Sequence, residues 1–196
     1  FGAGALQCLP DVMDTLSMTR PLVVTDAVLR DLGFVDRLGI DSAAVFDGVP
    51  TNPTEASVMQ GVALFRQAGC NGVIALGGGS PIDCGKCVAL LASHDPTLGR
   101  YAFIRGGVDH ITADQPPVIA IPTTSGTGSE VGRASIINKE DTHEKKIMFH
   151  PKMLPPLVIT DPELTGRLAP HNTGPTRVVA VCDSCVPRVA LGSHPP

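Results

Sequence analysis

Three consecutive glycines, Gly77 to Gly79, stand between an apolar run, Gly72-Val-Ile-Ala-Leu76, and a segment opening Ser80-Pro-Ile-Asp83. A short apolar run closed by glycine reads as a buried strand. Ser80 can cap a helix, Pro81 fits a first helical turn and Asp83 favours the positive end of the helix dipole. The spacing therefore predicts a helix over 80–92. Glycines in such a turn let the backbone approach a ligand closely, and the helix N-terminus offers free N–H groups to an anion, for which phosphate is the natural guest. The competing reading is a tight strand-to-helix turn and nothing more. Two familiar phosphate motifs fail: a P-loop needs Gly in place of Ser80 and Ser or Thr in place of Cys87, and G-x-G-x-x-G needs Gly in place of Ile82.

The alternation recurs along the chain. Pro21-Leu-Val-Val-Thr-Asp26 is a short strand ending in a polar turn, and Val28, Leu29, Leu32 and Val35 come after it at helical spacing. Ala43 to Phe46 is a second strand, and Glu55 to Ala68 sets Val58, Val62 and Phe65 on one helical face with Gly69 as the stop. After a turn-rich stretch, 94–117, a fourth strand, Pro117 to Pro122, runs into a second loop of small residues, Thr123 to Gly128. Further strands are expected at 134–138 and 157–160. Strands apolar on both faces, alternating with helices, predict an α/β, doubly wound, mostly parallel sheet covered on both sides, in one domain over 1–165. The remainder, 166–196, carries Pro175, Pro187, Pro195 and Pro196 without a sustained period, and a divergent, poorly ordered tail is expected there.

Composition excludes several function classes. A net charge of −4, one Tyr and no Trp give neither a basic face nor a stacking platform for nucleic acid. No apolar run approaches a membrane span, and the opening Phe1-Gly-Ala-Gly4 lacks the features of a signal peptide, so a cytoplasmic location is expected. The pairs Cys84/Cys87 and Cys182/Cys185 invite a zinc or redox reading, but they lie far outside zinc-ribbon separation. The histidines, at 94, 110, 143, 150, 171 and 194, include no pair at i and i+4 and read as surface residues rather than metal ligands.

Two stretches carry a resemblance. Gly77-Gly-Gly-Ser-Pro-Ile-Asp-Cys-Gly-Lys86 and Ile121-Pro-Thr-Thr-Ser-Gly-Thr-Gly-Ser-Glu-Val131 resemble the hallmark segments of the iron-containing (group III) alcohol dehydrogenases. The order also matches, with Val24-Thr-Asp26 upstream, Asn52-Pro-Thr54 between, and Leu154-Pro-Pro-Leu-Val-Ile-Thr-Asp-Pro-Glu-Leu-Thr165 downstream. The likeness implies a dehydroquinate-synthase-like N-terminal nucleotide-binding domain, followed in the family by an all-helical domain that carries the metal. It further implies that Gly78, Gly79 and Ser80 meet the cofactor pyrophosphate, and that Thr124 and Thr127 line the nucleotide site. Asp26 would face the adenosine ribose, where a carboxylate favours NAD over NADP; otherwise it is a solvated turn residue. Asn52 and Lys145 match cofactor-contacting positions but serve equally as a cap or a solvated surface residue. Asp83 would orient the glycine loop or the nicotinamide end, although helix capping alone accounts for it.

Past Pro170-His171 the likeness fades. The family's first two metal ligands, an Asp and a His, would fall at Val179 and Asp183, and Val179 cannot coordinate an ion. The resemblance thus implies a chain truncated or frame-shifted after about residue 171, with the helical metal-binding domain largely absent. Complete relatives would use NAD with Fe2+ or Zn2+ to interconvert a small alcohol and its aldehyde or ketone, the ion polarising the carbonyl. This chain alone is expected to hold NAD without turnover. Two alternatives stay open: a non-catalytic nucleotide-binding or assembly module, including a homo-oligomer, and a fragment of a related glycerol or sugar-phosphate enzyme.

Overall fold

A computed structural model describes residues 1–140 and 144–165. Its strands are β1 (Pro21–Val24), β2 (Ala44–Phe46), β3 (Gly72–Gly77), β4 (Val118–Pro122), β5 (Ala134–Asn138), β6 (Lys145–Phe149) and β7 (Leu157–Val158). The helices are α1 (Leu9–Thr15), α2 (Ala27–Asp31), α3 (Glu55–Gln67), α4 (Gly79–Ser93) and α5 (Pro162–Thr165), joined by short 3-10 turns. Five strands pair in parallel in the order β2-β1-β3-β4-β7.

Alternation of side chains splits the core into two layers. Leu22, Val24, Val73, Ala75, Val118 and Ala120 point to one face, where α3 and α4 cover them. Val23, Ile74, Leu76, Ile119 and Ile121 point to the other, beneath Leu9, Phe34 and Leu164. The central strands are buried on both faces, which is why they read as unbroken apolar runs. Burying each large aliphatic side chain contributes roughly 1.5–3 kcal/mol.

α3 keeps the expected face, with Val58, Val62 and Phe65 buried, and it opens on a capping box between Thr54 and Ser57. Gly69 comes after it at φ +61°, the left-handed conformation of a helix stop. α4 is buried continuously from Pro81 to Leu91. Such a helix needs cover all round. Gly85 lets it lie on β3, where an added Cβ would sit 2.8 Å from Ala75 Cβ, and Gly61 lets α3 approach Val88.

The outermost cover departs from the expected sheet. β5 is not a strand of the parallel sheet; it pairs antiparallel with β6, which no apolar periodicity announced, as a separate hairpin packed on α4. The hairpin is half-buried, and Ser135, Ile137 and Met148 are its fully buried residues. The 94–117 stretch is also more ordered than its polarity suggests: it coils through 3-10 turns that bury Leu98, Tyr101 and Ile111. The tail, with Cys182, Cys185, His171 and His194, lies outside the described residues, as does His143.

Candidate functional site

The strand order reverses at β1: the chain passes from β1 to β2 on one side and returns to β3 on the other. Crevices outside the carboxyl ends of parallel strands at such a switch point are where open α/β sheets bind ligands. The segments leaving β1, β3 and β4 border a cavity of about 530 Å³ there, whose wall includes Asp26, Gly78, Gly79, Ser80 and Thr124.

Each wall residue is held by local chemistry. Asp26 caps α2, its carboxylate accepting from the Leu29 N–H at 2.9 Å. Gly77 has φ +148°, a conformation closed to other residues, and a Cβ there would lie 2.6 Å from the Pro81 ring. Thr123 N–H donates to Gly77 carbonyl at 2.9 Å, tying the second loop to the first. The loops then meet through missing side chains: a Cβ on Gly78 would lie 3.2 Å from Thr124 Oγ1, and one on Gly79 would lie 3.3 Å from both Thr127 Cβ and Ser129 Oγ.

Two local expectations are corrected. Gly78, not Ser80, is the N-cap of α4; Ser80 lies inside the first turn, and its hydroxyl donates to the Thr51 carbonyl, pinning the 49–51 loop to the cleft. Asp83 lies beyond the first turn and neither caps α4 nor lines the cavity. Its Oδ2 accepts from Ile136 N–H at 3.0 Å, and its Oδ1 sits 3.5 Å from Lys86 Nζ as an ion pair without hydrogen-bond geometry. Burial pushes the Asp83 carboxyl up and the Lys86 ammonium down, and each charge opposes the shift in the other. The helix expected from the spacing of Val28, Leu29 and Leu32 forms as α2, but it does not bury Val28 or Leu32 in the core. The helix stops at Asp31, and Val28 and Leu32, at 67% and 50% exposure, turn toward the cavity instead.

Thr127 packs against Gly79 without entering the wall, and Asn52 and Lys145 also stay outside it. The hairpin nonetheless brings these last two to one rim. Asn138, paired with Lys145, donates its N–H to Pro53 carbonyl at 2.8 Å, and Lys146 pairs with Glu55 at 2.7 Å. Pro50 and Thr51, just upstream, do line the cavity, and their turn composition gave no sign of it. Lys86 carries no role in the sequence reading, although a lysine within the apolar run 84–91 of α4 is a signal in itself.

Cys84 and Cys87 are buried free thiols in α4. Burial pushes Cys84 up to about 12 and Cys87 well above its ordinary value, which disfavours the thiolate through which metal binding and redox exchange proceed. Among the described residues no three His, Cys, Asp or Glu converge on a metal position.

Fold and cleft together define a doubly wound α/β domain with a glycine-turn crevice at its switch point. The chain belongs to the iron-containing alcohol dehydrogenase family, whose model matches residues 1–162. A 4-hydroxybutyrate dehydrogenase of Cupriavidus necator is 42% identical over 98% of this chain and 51% of its own length, an alignment that runs past residue 171. The crystal structure of a 1,3-propanediol oxidoreductase superimposes with a TM-score of 0.81 at 34% identity, covering 90% of this chain and 47% of that one. A sulfoacetaldehyde reductase from Bifidobacterium kashiwanohense, solved in complex with NAD+, gives a TM-score of 0.82 at 30% identity, with the same coverage. The chain thus spans about half the length of the relatives it matches. The family is one of NAD-dependent oxidoreductases, and no helix among the described residues is long and apolar enough to cross a membrane.

Proposed function

We propose that the switch-point cleft holds NAD and that the chain is the cofactor-binding part of an alcohol dehydrogenase acting on a small alcohol and its aldehyde or ketone. The observation that carries this reading is the cradle between the two loops. Thr124 Oγ1 is buried without a hydrogen-bond partner, and the absent Cβ of Gly78 leaves room beside it. A buried hydroxyl without a partner calls for a ligand or water. The Gly79 and Ser80 N–H groups, in the first turn of α4, have no intrahelical acceptor and suit a pyrophosphate. Asp26, across the cleft, would accept from ribose hydroxyls and repel a 2′-phosphate. Asn52, Thr127 and Lys145 would act from the rim, and Asp83 through the hairpin.

NAD, when bound, supplies the hydride acceptor. The described residues supply binding, orientation and the charge preference. They do not fit an iron or zinc centre, because no converging ligand set exists among them, and no step is assigned through a metal. The expected ligand positions, Val179 and Asp183, lie outside the described residues. A cytoplasmic location and a homo-oligomer belong to the same proposal, and size-exclusion chromatography with and without NADH tests the latter.

A fluorescence titration of the 196-residue chain with NADH and NADPH tests the reading. Saturable binding, tighter for NADH, is expected. A folded chain that binds neither, or prefers NADPH, would overturn it.

A further inference from the structure

We propose that Lys86 is a positioning residue for the cofactor site, clamping the loop 123–133 against the glycine turn from within α4. The inference rests on reading the cleft as an NAD site.

The loop has neither helix nor strand, apart from short turns such as Val131 N–H to Gly128 carbonyl at 3.1 Å. Its beginning is fixed by the Thr123 to Gly77 hydrogen bond. Its far end is held by a charge: Lys86 Nζ donates to Gly132 carbonyl at 3.2 Å and to Ala134 carbonyl at 2.6 Å. Between these anchors lie Thr124 and Thr127, which touch the Cβ positions that Gly78 and Gly79 leave empty.

One rigid element joins both loops. α4 begins at the glycine turn, and Lys86 lies seven residues after Gly79, about 10 Å along the axis. Asp83, on the same helix, fixes Ile136 N–H at 3.0 Å, so the helix grips the chain on both sides of β5's start. Loop and turn therefore keep their register because both are referred to one helix.

Stability alone does not explain a lysine in this place. Its side chain is 1% exposed in an otherwise apolar stretch of helix. Buried ion pairs can often be replaced by apolar residues with no loss of stability. What an apolar residue cannot replace is a donor that reaches two carbonyls of an irregular loop.

Lys86→Met alone would strand the Asp83 charge, so the test compares D83N with D83N/K86M in the whole chain. The amide oxygen introduced by D83N retains an acceptor for Ile136 N–H, and the two variants differ only at the clamp. The doubly substituted chain is expected to bind NADH roughly tenfold more weakly than D83N, the factor equivalent to about 1.4 kcal/mol, with closely similar thermal midpoints. Amide exchange across residues 124–133 should accelerate while β3 and β4 keep their protection. Equal affinity with equal loop exchange would overturn the proposal. So would a doubly substituted chain that no longer unfolds cooperatively, because Lys86 would then serve the fold itself. If wild type binds no NADH, the cofactor reading fails by itself, and loop exchange still decides whether Lys86 holds the loop.

Discussion

Gly85→Ala is the most informative single change, because helix propensity and packing predict opposite signs. In an exposed helix the substitution would stabilise by about 1 kcal/mol. Here the new methyl carbon would sit 2.8 Å from Ala75 Cβ and 3.3 Å from Val73 Cγ1, whereas carbon atoms pack best at roughly 3.5–4.0 Å. Ala75 has no rotamer with which to move aside, and β3 is paired with both β1 and β4. Relief therefore requires α4 to lift off the sheet. Overpacking of this kind costs about 1–3 kcal/mol, and the rigid neighbour puts this case near the upper end. After the propensity gain, a net loss of about 2 kcal/mol is expected. With a urea dependence of about 2 kcal/mol per M, the unfolding midpoint should fall by about 1 M. NADH binding should weaken as well, since α4 carries the glycine turn at its head. A midpoint at or above that of wild type would refute the reasoning, because it would mean that helix and sheet are not in close contact at this glycine.

Further outcomes come from the same geometry. Asp26→Ser keeps a capping oxygen for Leu29 N–H but removes the charge at the cleft, so NADPH affinity should rise relative to NADH while thermal stability changes little; an unchanged preference would remove Asp26 from cofactor selection. Alkylation at pH 8 with peptide mapping should modify Cys8 readily and leave Cys84 and Cys87 unmodified until the chain is unfolded; native-state labelling of either buried thiol would contradict their burial in α4. For Asp161, burial pushes the carboxyl up, but the Leu6, Glu163 and Gly4 N–H groups and the Arg37 charge outweigh this and hold it below the ordinary carboxylate range. A lowered folded-state value adds stability above the ordinary carboxylate pKa, and that stability disappears as pH falls through the lowered one. Asp161→Asn should therefore be less stable than wild type near neutrality, with the difference in urea midpoint closing in that acid window; a difference independent of pH would exclude the ionised carboxylate as its source.

On the proposed reading, the described residues form the cofactor side of an alcohol dehydrogenase cleft. Asp26, Gly78, Gly79, Ser80 and Thr124 come from three well-separated segments of the chain, yet they meet because parallel strands all end at one edge. That edge, together with the reversal at β1, makes the crevice. Lys86 adds an internal brace that ties the second loop to the helix behind the first.

Local sequence determined the parallel sheet, the buried strands β1, β3 and β4, the face of α3 and the glycine turn, since each arises from the spacing of apolar residues or from backbone freedom at glycine. The family resemblance also rests on contiguous residues, and so needed no fold. Tertiary structure alone decided the rest. Val28 and Leu32 repeat at helical spacing, but periodicity cannot distinguish a core from a cleft. Ser80 had the composition of a cap, but the chain already enters α4 at Gly78 and aims the Ser80 hydroxyl at Thr51. Asp83 and Lys86 could be read only as residues on a helix until the start of β5, from a distant part of the chain, supplied an N–H and two carbonyls. A pattern along the chain specifies which side chains must leave water; which partner each one finds depends on what the finished fold places opposite it.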